Sequence, residues 1–238
     1  PMPLQTVAPQ RLYQQIADQL RTLITAGEFT AGSRLPAERD LAKQLGVSRP
    51  SVREALIALE VEGWVEVRTG SGVYVQDRST TAARGNPITV NEWGPLELIR
   101  ARRVLEGEIA SLAATMAKRK DIAAMRLALA DMVRDADAGT LPIEGDRAFH
   151  SAIVQSTGNT VLIETIHGFW DSRRGPLFER LGGYFETVAS WRSAIAEHTA
   201  ILDAIVAHDA PGARAAMHAH MDKSHTRFSA SWRRAKAS

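Results

Sequence analysis

Four side chains in the second half of this 238-residue sequence could hold one cation between them. In GDRAFHSAIV, Asp146 and His150 stand four residues apart, so on a helix they share a face with Phe149, Ile153 and Val154. In IAEHTAILDAI, His198 falls on the stripe of Ile195, Ile201, Leu202 and Ile205. In ARAAMHAHMDKSHTRF, His220 shares a face with Ala213, Ala216, Met217, Met221 and Phe228, while His218 lies about 200° away. His208, His218 and His225 are expected at the surface. A lone inward histidine is most often a core residue with a hydrogen-bond partner. Three of them with an aspartate differ, because an unpaired buried carboxylate is costly and a divalent cation neutralises it. No other buried charge of that kind is evident. The N3O donor set suits zinc, nickel, manganese or iron, zinc foremost, with coordination positions left for a ligand.

A second pattern lies in GVSRPSVREAL. Arg49 and Arg53 are four residues apart at the start of a helix that follows Gly46. They fall about 60–100° from the apolar stripe through Val52, so both are expected beside the buried face without joining it. Arginines there could fork onto guanine O6 and N7, and Ser48 with the helix N-terminus could meet a phosphate. The alternative is a solvated helix in which they pair with Glu54 or Glu60.

The elements around these residues decide between the two. Apolar residues at helical spacing (Leu12, Ile16, Leu20, Leu23, Ile24) predict a helix over 11–26. A turn-rich stretch precedes a short helix through Leu41, Ala42 and Leu45, which Gly46 ends. Ser48 is the expected N-cap of the next helix, with Val52, Ala55, Leu56 and Leu59 inward. Alternation at Val65, Val67, Val73 and Val75 across Thr69–Gly72 predicts a hairpin. Helix, helix-turn-helix, hairpin is the order of a winged helix-turn-helix, whose second helix enters the major groove. That order favours DNA over a solvated helix.

Charge does not help, since residues 1–78 hold nine basic and nine acidic side chains. The expected organisation is a winged helix-turn-helix over 1–76, a polar linker over 77–94 and an all-helical bundle over 95–238, a mostly α fold with a small β-hairpin wing. The bundle is expected to hold six helices, near 95–117, 121–138, 143–157, 160–181, 185–208 and 211–232. No cysteine is present, so a metal must rest on nitrogen and oxygen. No apolar run is long enough to span a bilayer, and a cytoplasmic location without membrane contact is expected.

RLPAERDLAKQLGVSRPSVREALIALEVEGWVEVRTGSGVYV resembles the DNA-binding domain of the GntR superfamily. The resemblance implies contacts to operator DNA by Arg39, Ser48, Arg49, Ser51, Arg53 and Gly70, with Arg34 and Thr69 on the backbone. It also implies palindromic operators and a homodimer. DRAFHSAI, EHTAILDAI and AAMHAHM resemble the FCD effector domain of the FadR branch, whose metal-binding members imply Asp146, His150, His198 and His220 as ligands. In PLELIRARRVLEGEIASLAA, Arg102 lies at the edge of an apolar stripe and needs a carboxylate partner, either internal (Glu106 or Asp146) or a ligand's. The FCD resemblance implies the latter, an organic acid bridging Arg102 and the metal. The similarity is greatest to hexuronate-responsive members, with Asn159, Trp170 and Arg173, and Arg174 beside them, available for a hydroxylated acid. The expectation is a ligand-responsive repressor and not an enzyme. A metalloenzyme using the Asp/His3 site, and a sensor of the metal alone, are the alternatives.

Overall fold

A computed structural model describes residues 10–77 and 92–230. Most of the expected linker, and the end of the last expected helix beyond residue 230, lie outside the described residues. The chain divides into two compact units, one ending at Gly94 and one beginning at Pro95.

The first unit contains α1 (Leu12–Thr25), α2 (Glu38–Leu45), α3 (Arg49–Val61), β1 (Val65–Arg68) and β2 (Gly72–Val75). The stripe of α1 that is buried runs through Tyr13, Ile16, Ala17 and Leu20, whereas Leu12 and Leu23 are exposed. The inward face is therefore rotated by about one residue from the expectation, because Tyr13 supplies apolar surface that the aliphatic pattern ignored. Gly46 closes α2 in the left-handed conformation (φ 65°), which a residue without Cβ adopts freely. Ser48 caps α3, its side chain accepting from the Ser51 N–H, with Pro50 in the first turn where no N–H is needed. β1 and β2 pair antiparallel, Val65 opposite Val75 and Val67 opposite Val73, with all four valines inward. The segment before α2 also pairs with β2: Leu35 N–H donates to Val73 O and Val75 N–H to Ser33 O, both 2.9 Å. This pairing ties the wing to the loop that launches α2.

The second unit is all helix: α4 (Pro95–Met116), α5 (Arg119–Asp137), α6 (Ile143–Gln155), α7 (Thr160–Ser172), α8 (Pro176–Phe185), α9 (Val188–Val206) and α10 (Ala210–Phe228). One long helix was expected over 160–181; two are found. Gly175 is extended (φ −75°, ψ 151°), and Pro176 starts α8 without needing a backbone donor. Gly182 and Gly183, expected as the break, lie inside α8. The principal packing is α4 on α10, α5 on α6 and α9 on α10. Its core includes Met125, Met132, Phe149, Ile153, Trp170, Ile201 and Met217. Burying each such side chain contributes roughly 1.5–3 kcal/mol.

α6 approaches α5 closely at Gly145. A Cβ there would stand 2.7 Å from Met132 Cγ and 3.1 Å from the Met132 backbone nitrogen, so the helices would have to part. Gly145→Ala is expected to lower stability by about 1–3 kcal/mol despite its better helix propensity. Urea denaturation followed by circular dichroism checks this; an unchanged midpoint would contradict the packing.

Candidate functional site

α6 carries Asp146 and His150, α9 carries His198, and α10 carries His220. All four are buried, and one ligand-type atom from each lies within 4.8 Å of the others. His198 Nε2 is 2.9 Å from Asp146 Oδ1 and 3.2 Å from His150 Nε2, while His150 Nε2 is 3.4 Å from the same Asp146 oxygen. Phase on three separate helices therefore converges on one point.

The outward nitrogens explain the orientation. His150 Nδ1 meets Glu106 Oε2, His198 Nδ1 donates to the Ala194 carbonyl (2.6 Å), and His220 Nδ1 donates to Glu197 Oε2 (2.8 Å). Each acceptor holds a proton on Nδ1, which leaves the Nε2 of a neutral ring as a lone pair directed inward. Asp146 is anchored the same way: Oδ2 accepts from Arg173 Nη1 at 2.7 Å, and Oδ1 is buried without a hydrogen-bond donor. Electron pairs pointed at one another repel. A cation among them removes the repulsion, and imidazoles backed by carboxylate or carbonyl are the usual setting of metal-ligating histidines.

Electrostatics agree with this arrangement at Asp146 and His220. Burial would raise the Asp146 carboxyl, but His150, His198 and Arg173 hold it well below the usual range. Burial lowers His220 to about 3, with His198 adding to the effect, so this ring is neutral and able to ligate at ordinary pH. In the bare protein the His150 ring is drawn the other way, since against burial Glu106 and Asp146 raise it above its ordinary value; a bound cation would have to displace that proton. Burial opposes ionisation of Glu106, yet Arg102 and His150 hold it down to about 2.

Glu197 is a neighbour of the cluster that the sequence did not disclose, and its burial with that of Glu106 corrects the expectation that no other charge of that kind is buried. Glu106 stands one turn beyond Arg102 and was visible as its possible partner. Glu197 lies next to His198 in the chain and accepts from His220 on another helix, which no local pattern discloses. His218 and His225 are half-buried rather than exposed. The ring of His218 rests where a Cβ on Gly107 would be, 2.2 Å from its Nε2.

Beside the cluster is a pocket of about 480 Å3, its open mouth included, reached by Asp146, His220, Arg102 and Arg173. Arg102 is 4% exposed. Its Nε donates to Glu106 Oε1 at 2.5 Å, which settles the internal partner, while its Nη2 is buried with no acceptor. Trp170 lies beneath both arginines, their guanidinium carbons 4.5 and 4.6 Å from its ring centre. Asn159 does not join them. It is exposed and caps α7, its Oδ1 accepting from the Val161 and Leu162 N–H groups, so a cap was read as a ligand contact. Arg174 is exposed and faces Glu144.

In the first unit, Arg39, Ser48, Arg49, Gly70 and Arg34 are exposed and Thr69 is half-buried. Ser51 is buried against Ser48 Oγ. Arg53, expected beside the buried face without joining it, joins it. Its side chain is 1% exposed and grips Glu38 with Nε at 2.9 Å and Nη2 at 2.7 Å. Glu38 also accepts from Arg49 Nε at 3.1 Å, but Arg49 is 52% exposed. Arg53 thus braces α2 against α3, and Arg49 is the member of the pair that faces solvent.

Residues 12–75 match the family described as bacterial regulatory proteins, gntR family, and residues 97–223 match the FCD domain. The chain is a member of the GntR family with an FCD domain. It is 38% identical to the Uxu operon transcriptional regulator of Escherichia coli K12 over 218 residues, 90% of this chain and 85% of that protein. It is 37% identical to the Exu regulon transcriptional regulator of the same strain, over 92% of this chain and 85% of that one. A putative L-lactate dehydrogenase operon regulatory protein from that strain is 36% identical, over 92% and 87%. Among solved structures, E. coli McbR/YncC is 25% identical with a TM-score of 0.51, covering 94% of this chain and 98% of that one. This GntR-family protein is therefore a DNA-binding transcriptional regulator rather than an enzyme, with a small-molecule effector domain. None of its described helices is long and apolar enough to cross a membrane.

Arg53→Ala would remove the buried partner of Glu38 and leave its carboxylate to the solvated Arg49, so it is expected to destabilise the DNA-binding unit by about 3–5 kcal/mol. Arg49→Ala should cost about 0–1 kcal/mol, because its half of the pair is solvated. Chemical denaturation of both variants checks this; equal losses would contradict the buried brace.

Proposed function

We propose that this GntR-family regulator is a metal-containing, organic-acid-responsive repressor that acts as a homodimer on palindromic operators in the cytoplasm. The observation that carries the effector part is Arg102 Nη2, a buried guanidinium donor without an acceptor in the same pocket as Asp146 and His220. A buried cationic donor is poorly stable unpaired, and a carboxylate satisfies it.

Asp146, His150, His198 and His220 would hold the divalent ion, zinc foremost among zinc, nickel, manganese and iron. When bound, the ion supplies a Lewis-acidic seat for an oxygen of the acid. Arg102 takes the carboxylate, Trp170 and Glu106 hold Arg102 in place, and Arg173 fixes Asp146. A sugar acid is the favoured effector: similarity to hexuronate-responsive members and to the Uxu and Exu regulators supports it. The relative named for an L-lactate dehydrogenase operon makes lactate the comparison ligand.

In the DNA-binding unit, Arg49 and Arg39 are the base- and phosphate-reading candidates, with Ser48 at the helix N-terminus and Gly70, Thr69 and Arg34 about the wing. Arg53 keeps its place in the reading through Glu38. Effector binding would act by changing the relative stability of operator-competent and incompetent states.

Chelation is expected to lower the melting temperature, and added metal to restore it in the wild type but not in His150→Ala with His198→Ala. Differential scanning fluorimetry checks this; equal behaviour of variant and wild type would remove the metal from the reading. Arg49→Ala should weaken specific operator binding by roughly 1–3 kcal/mol per half-site while the thermal response to metal persists. Fluorescence anisotropy with operator and scrambled DNA measures it. Release of operator by metal alone would favour the pure metal sensor, and release only with a sugar acid favours the effector reading.

A further inference from the structure

We infer that Trp191 donates its indole N–H to an effector oxygen remote from the carboxylate, so that the pocket selects a chain hydroxylated along its length over an alkyl acid or a short one; this rests on the effector reading above. Among the described residues, three that border the pocket hold a buried polar atom without a hydrogen-bond partner: Arg102 Nη2, Asp146 Oδ1 and Trp191 Nε1. Asp146 Oδ1 belongs to the cluster, where His150 and His198 face it. Arg102 Nη2 is the group that the effector carboxylate meets. Trp191 Nε1 is left over. The residue is 5% exposed, and an indole nitrogen can only donate. Buried tryptophan N–H groups usually find an acceptor, because leaving one unmade is unfavourable. Trp170 Nε1 is unpartnered too, but that ring lies under the two arginines and does not border the pocket.

Position on α9 says where the missing acceptor belongs. Trp191, Ala194 and His198 are spaced by three and four residues, so they share one face of the helix, and Trp191 stands about 10.5 Å along the axis from His198. Arg102 is at the cluster end of the pocket, since Glu106 joins it to His150. Trp191 is at the other end, with Phe185, Glu186 and Ser190 from the junction of α8 and α9. Ser190 Oγ is engaged there with Thr187, donating to its carbonyl at 2.8 Å and accepting from its N–H at 2.9 Å. An extended chain advances about 1.2 Å per bond, so the far oxygens of a six-carbon acid lie roughly 6–7 Å from its carboxylate. With a hydrogen bond of about 3 Å at each end, such an acid reaches from Arg102 to Trp191. L-lactate carries its hydroxyl beside its carboxylate and falls short. Hexanoate has the length but no acceptor, and a site built to hydrogen-bond a ligand oxygen rejects the analogue that lacks it.

The test is isothermal titration of metal-loaded full-length protein, at matched metal content, with D-gluconate, D-glucuronate, hexanoate and L-lactate. Wild type should bind the better of the two hydroxylated six-carbon acids at least about tenfold more tightly than hexanoate or lactate. Trp191→Phe, which keeps an aromatic ring and removes the donor, should weaken that acid at least about fivefold and change hexanoate and lactate less than about twofold. A second measurement uses the wild type alone. The chain has five tryptophans, so their indole signals in a proton–nitrogen correlation spectrum can be assigned by single Trp→Phe substitutions, that of Trp191 by elimination if its variant does not fold. The Trp191 indole proton should move downfield with the hydroxylated acid and stay in place with hexanoate. No preference for the hydroxylated acids, equal weakening of every acid in Trp191→Phe, or an unmoved Trp191 signal would overturn the role of Trp191 while leaving the effector reading in place. Binding of none of the four acids by wild type would overturn both.

Discussion

Everything in the helical unit depends on where three imidazoles keep their protons. Because Glu106, the Ala194 carbonyl and Glu197 each engage an Nδ1, three Nε2 lone pairs and an Asp146 oxygen are directed at one volume. That arrangement is unfavourable for bare protein and favourable around a cation. Four helices share in maintaining it: α6, α9 and α10 contribute donors, and α4 contributes the acid that orients His150.

The same acid ties the cluster to the pocket. Glu106 accepts from Arg102 with one oxygen and meets His150 with the other, and Arg173 links Asp146 to Glu186. Trp170 lies under both arginines. A carboxylate arriving at Arg102 therefore meets a group whose position already depends on the cluster. Coupling between ligand and ion needs no long path when one carboxylate lies between their binding groups.

Much of this was legible from periodicity. Helical phase brought Asp146, His150, His198 and His220 to one face each, since apolar neighbours mark the inward side of a helix wherever the helix is long. Arg102 was found because a charged residue at the rim of an apolar stripe stands out. Phase failed where a polar residue joins the core by pairing. Arg53 was placed beside the buried face, but Glu38, fifteen residues earlier on another helix, draws it inside. Glu197 was invisible for the same reason. Asn159 misled because capping and ligand binding ask for the same side chain, and Gly182–Gly183 misled because glycine signals both a break and a need for space. The break lies instead at Gly175–Pro176, where proline forbids continuation.

The sharing of Glu38 between two arginines has a consequence for how the protein meets the genome. In the proposed role of base reader, Arg49 would turn to a nucleic acid only by leaving a carboxylate 3.1 Å away. When it leaves, Glu38 is not stranded, because Arg53 still holds both its oxygens. Departure is therefore inexpensive but not free. A single loosely placed phosphate offers little improvement over the partner given up, whereas a correctly spaced base edge offers two bonds at once. Under that proposed role, a small internal competitor would thin out casual encounters along the chromosome more than it would weaken the intended one.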